Sequence, residues 1–118
     1  MSAVISVGQD GAATIGSFTA SGQTSPGAMA EARRFKDWTF HLTGTISAGG
    51  ITVQGSIDNG ASYFDLVPDS VNTSTGQNVN PLTDTNSEIR YKGSLTQVRG
   101  VSNAAFTGSV VLKGYAVP

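Results

Sequence analysis

His41 is the only histidine of the 118-residue chain, and there is no cysteine. Zinc would therefore lack its usual nitrogen and sulfur donors, and a Ser-His-Asp set would have to be assembled from residues that carry no motif. Oxygen ligands come closer to a site, because Asp58, Asp65, Asp69, Asp84 and Glu88 could serve calcium if the long loop that holds Asp69 and Asp84 folded back over the 58–60 turn. Their spacing does not match an EF-hand loop, and solvated turn carboxylates are the simpler reading. Two carboxylates make a glycosidase only with a cleft and a defined separation. The sequence predicts no enzyme, no metal and no cofactor.

Two groups of residues suit binding instead. Arg33, Arg34 and Lys36 form a basic cluster around Phe35, close to Glu31 and Asp37. This is either a solvated strand entrance neutralised by the two acids or an electrostatic anchor to an acidic partner. Nucleic acid is not predicted, since phosphate binding needs a broad basic face and the formal net charge is -1. Among the aromatics, strand parity sends Trp38, Phe40 and Phe64 inward. Tyr63, Tyr91 and Tyr115 are left to reach solvent, an interface or a glycan.

The elements that must position these residues are strands. From Lys36 to Ser47, Trp38, Phe40, Leu42 and Ile46 share one parity while Asp37, Thr39, His41, Thr43, Thr45 and Ser47 share the other. That pattern is a strand with one dry face. After Ala48-Gly49-Gly50 the alternation resumes, with Ile51, Val53 and Ile57 on one side, and a glycine turn between two such runs predicts a hairpin. Asp58-Asn59-Gly60 then supplies the positive φ angles of a tight turn into a third strand over 62–67, with Phe64 and Leu66 inward. Residues 68–87 read as a long polar loop, either functional or held by a partner. Short β runs return at Ile89 to Tyr91, Gln97 to Val101 and Ser109 to Tyr115.

The predicted fold is all-β: an antiparallel β-sandwich or jelly-roll-like barrel with an extended N-terminal segment. Residues 1–30 read either as an assembly arm or as edge strands, with the sandwich over 31–118. On the arm reading, removal of 1–30 leaves the rest able to fold. No stretch approaches the roughly 20 apolar residues of a membrane span, and no signal-peptide pattern opens the chain, so a protein made in the cytoplasm and not bound to membrane is expected. Charged residues are 13% of the chain, about half the usual share. Gly, Ser, Thr and Asn take their place. Open strand edges and few charges to guard them predict a homo-oligomer, a trimer or a dimer.

Two stretches carry a resemblance. Ile51 to Leu66, a strand ending in Gly-Ser that turns through Asp-Asn-Gly into an aromatic strand, resembles a segment of β-sandwich proteins from tailed-bacteriophage virions. Val98 to Leu112, an Arg-containing strand followed by a Gly-interrupted β run, is similar to the closing strands of the same modules. The resemblance implies a structural protein on the capsid surface of a virion, most like a decoration or cement protein. Such a protein binds across neighbouring major capsid protein subunits. It makes Arg33, Arg34 and Lys36 candidates for capsid contact. The alternative it leaves open is a tail, baseplate or head-fibre module that binds host surface polysaccharide, with Tyr63, Tyr91 and Tyr115 as contacts.

Overall fold

A computed structural model describes residues 4–5, 12–25, 28–30, 37–67, 80–85 and 88–117. The described elements are all strands: β1 (Val4–Ile5), β2 (Ala12–Phe18), β3 (Ala28–Ala30), β4 (Asp37–Ala48), β5 (Ile51–Ser56), β6 (Phe64–Asp65), β7 (Glu88–Lys92), β8 (Gln97–Ser102) and β9 (Thr107–Val117). They form a five-stranded sheet in the order β1-β3-β8-β5-β6 and a four-stranded sheet in the order β2-β9-β4-β7. Every pairing is antiparallel except β1 with β3.

The connectivity follows from one turn. Asn59 and Gly60 adopt φ 60 and 90, as a tight hairpin connection demands, and the chain doubles back there. Strands β2 to β5 then each meet a counterpart from the second half: β5 with β6, β4 with β7, β3 with β8 and β2 with β9. Rolling that long double ribbon brings β9 against β4 and β8 against β5. Both sheets are thereby completed around one core, which is the jelly-roll arrangement.

The core is built from the inward parity of both sheets. Trp38, Phe40 and Leu42 of β4 pack with Ile51 and Val53 of β5, Val98 of β8, and Val110 and Leu112 of β9, all buried. The Trp38 and Phe40 rings stack with centroids 6.0 Å apart, and the indole N–H donates to the Gly93 carbonyl at 3.0 Å. The N-terminal stretch joins the same core: Ile15 and Phe18 of β2 are 4% and 0% exposed. Residues 19–25 run beside β8. Ser102 donates its backbone N–H to Gln23 O and its hydroxyl to Ala20 O, while Ser25 donates its backbone N–H to Gly100 O.

The predicted hairpin between β4 and β5 is corrected by the structure, which places these strands in opposite sheets. Alternation reports which face a residue occupies, not which strand lies beside it, so a hairpin and a corner look alike in sequence. Gly49, at φ 70, takes that corner where a Cβ would collide with the backbone of Ala105 and Phe106. Asn103 clamps it: its side-chain oxygen accepts the Gly50 N–H and its own N–H donates to Gly50 O.

Two inward assignments also change. Ile57 is 68% exposed because β5 ends at Ser56, and Phe64 is 38% exposed on the short edge strand β6, whose far side no strand covers among the described residues. Part of the predicted polar loop is bound to the chain itself. Leu82 is fully buried and exchanges both backbone hydrogen bonds with Ile51 at 2.9 Å. The remainder of that loop, 68–79 and 86–87, lies outside the described residues.

Candidate functional site

The outer face of the four-stranded sheet is a lattice set by register. Glu88, His41, Lys113 and Thr14 stand side by side across β7, β4, β9 and β2. In the next row come Arg90, Thr39 and Tyr115, and beyond them Lys92 and Asp37. Because inward neighbours such as Trp38, Phe40 and Ile89 are buried, these polar side chains are carried outward. The face thus gathers Arg90, Lys92 and Lys113 against Asp37 and Glu88. Arg90 donates its Nε–H to Glu88 at 2.7 Å, an exposed ion pair of small energetic weight. His41 stands between Glu88 and Lys113, a mixed-charge surface rather than a nucleophile-base arrangement.

At the β7 edge of this face lies an open groove of about 470 Å³, lined by Asp37, Trp38 and Thr39 from β4 and by Glu88, Arg90, Tyr91 and Lys92 from β7. Its volume is in the range of small-ligand clefts. Tyr91 is half-buried there, packed against the core. Trp38 is 1% exposed and offers no stacking face.

The outer face of the five-stranded sheet is different in kind. Gln54 is opposite Arg99 on one side and Asp65 on the other. Its amide joins them, accepting the Arg99 Nε–H at 2.8 Å and donating to Asp65 at 2.9 Å. The Arg99 guanidinium carbon lies 3.7 Å from the centroid of the Tyr63 ring. The Tyr63 hydroxyl donates to Gln97 at 2.7 Å, and Gln97 donates to Asn59 O at 3.0 Å.

Below this row the β5–β6 turn is knotted by Asp58. Its carboxylate accepts the Ser56 hydroxyl at 2.6 Å, the Ser62 hydroxyl at 2.6 Å and the Ser62 N–H at 2.9 Å. The Ser56 bond, followed by those from Ser62, holds the Asp58 carboxyl at about 2, below its ordinary 3.8. A depressed carboxylate steadies the fold above its unfolded pKa, and that contribution fades as the pH falls through the folded value. Hydrogen exchange of the 59–62 amides should therefore accelerate between pH 4 and 2 beyond the intrinsic trend. Asp58→Asn should remove that pH dependence, whereas an unchanged profile would contradict the carboxylate's role.

The structure does not bring the sequence candidates together. Tyr63 and Tyr115 occupy opposite faces of the sandwich, Tyr115 being 45% exposed. Tyr91 sits at the edge groove. Arg33, Arg34 and Lys36 lie outside the described residues, immediately ahead of Asp37 in the chain. The sequence reading missed Arg99 and did not gather Arg90, Lys92 and Lys113 into one group. The available signal was parity: Arg90 and Lys92 are two apart in one strand, and Gln97, Arg99 and Val101 alternate with buried neighbours.

No protein-family model and no curated protein matches the sequence. The fold is shared with the crystal structure of SPBc2 prophage-derived protein YomS, at a TM-score of 0.66 over 91% of this chain and 91% of that one. The two sequences are 18% identical, so the likeness is one of fold.

Proposed function

We propose that this chain is a non-catalytic structural protein of a phage virion that decorates the capsid, binding across neighbouring major capsid protein subunits and stabilising the shell. The observation that carries the reading is the charge-bearing outer face of the four-stranded sheet. Arg90, Lys92 and Lys113 stand there beside Asp37 and Glu88, and Arg33, Arg34 and Lys36 precede Asp37 in the sequence. An acidic patch on the shell is the complementary surface, and such complementarity sets orientation and on-rate more than raw affinity. A jelly roll shared with a prophage-derived protein supports the phage setting. The physics is linkage: a protein that binds only the assembled lattice shifts the equilibrium toward it. Locating the chain in the intact particle tests the reading.

The groove beside Tyr91 favours a second reading, a tail, baseplate or head-fibre module binding host polysaccharide. Hydrogen-bonding groups of both signs line it. Glycan binding lost on Tyr91→Ala, with no affinity for capsids, would support that reading over the first.

A further inference from the structure

The outer face of the five-stranded sheet carries opposite charges in a single row, with Gln54 between them. Asp65 and Arg99 stand two strands apart, about 10 Å at ordinary strand spacing. Arg99 is held by its Nε–H bond to Gln54 and by its stack on Tyr63. Among the described residues its Nη groups meet no acceptor, and Asp65 uses one carboxylate oxygen, toward Gln54. A guanidinium fixed in this way presents an ordered fork suited to a carboxylate, and little side-chain freedom is left to lose on binding.

We propose that this face joins two copies of the chain about a twofold axis near Gln54, with each Arg99 meeting the partner copy's Asp65. A twofold contact must be self-complementary, because the same patch supplies both sides. A face carrying both charges about one central residue meets that condition, since the rotation exchanges them. The neighbouring surface also suits an interface. Thr52 and Val101 pair across β5 and β8, and Val67 follows on the outward parity of Tyr63 and Asp65, 77% exposed. That stretch is uncharged and partly apolar, while Arg and Tyr are residue types that concentrate binding energy at interface centres. Arg90, Lys92 and Lys113 belong to the opposite face and stay clear of the contact. The pairing does not depend on how the chain attaches to a shell.

Sedimentation equilibrium of the full chain tests the pairing. The expected result is a dimer whose dissociation constant rises about tenfold or more on Arg99→Glu or on Asp65→Arg, and which the two together restore. Val101→Lys adds a charge to the uncharged stretch without touching the Gln54 network, and it should also give monomers that keep the far-ultraviolet circular dichroism of the parent. Should either reversal fail to fold, Val101→Lys decides. A wild-type chain that stays monomeric at high concentration overturns the proposal, as does an oligomer that survives these changes or a double reversal that fails to pair.

Discussion

Deleting residues 1–30 is expected to leave a chain that does not fold, with no cooperative thermal transition by circular dichroism. β2 supplies Ile15 and Phe18 to the core and pairs with β9 from Ala12 to Phe18. Burial of side chains of this size is worth about 1.5–3 kcal/mol each. The deletion also removes β3 and the 19–25 segment from the flank of β8, leaving that strand's backbone groups there unpaired. Set against a total stability of about 5–15 kcal/mol for a domain, these losses are decisive. A cut ending at Gly11 spares β2 and should preserve the transition. A cooperative transition in the longer truncation would mean that β2 and β3 are dispensable, as the arm reading of 1–30 requires.

Asn80→Ala should lower the unfolding free energy by about 2–4 kcal/mol, measured by urea denaturation. The Asn80 amide accepts the Val53 N–H at 3.0 Å and donates to Val53 O at 3.0 Å and to Leu66 O at 2.8 Å. One side chain thus ties β5 to the chain just after β6, both at buried residues. Truncation strands the Val53 N–H and the Leu66 carbonyl, at about 1–3 kcal/mol for each one left unsatisfied, while Val53 O keeps the Leu66 N–H at 3.1 Å. Asn80→Asp keeps an acceptor for Val53 N–H and loses both donors, so it should destabilise as well. A midpoint shift within error for Asn80→Ala would mean that solvent replaces the amide at no loss.

Local features were legible in the sequence, and long-range partners were not. The alternation over Trp38, Phe40 and Leu42 gave β4 its dry face, and Asn59-Gly60 gave the turn, because each is decided by side chains a few residues apart. β2 and β9 pair across nearly the whole chain, and no local pattern encodes that neighbour. The Gly49-Gly50 corner passed for a hairpin for the same reason. Ile15 and Phe18 went unassigned to the core because residues 1–30 read equally as an assembly arm or as edge strands, and only the long-range pairing of β2 with β9 turns them inward.

The binding surfaces divide in the same way. Outward parity correctly placed His41 and Thr39 on the polar side of β4. The gathering of Arg90, Lys92 and Lys113 on one face needs the β7-β4-β9 order, and the Arg99 stack on Tyr63 needs β8 beside β5. Both arise from rolling the double ribbon, a property of the whole chain.

The most direct measurement of the central claim is a cryo-microscopy reconstruction of the intact particle that carries this chain. The account predicts density for the jelly roll on the outer shell, bridging neighbouring major capsid protein subunits, with Arg90, Lys92 and Lys113 turned toward them. A chain found only in the tail, absent from the particle, or seated with the four-stranded face turned to solvent would contradict it.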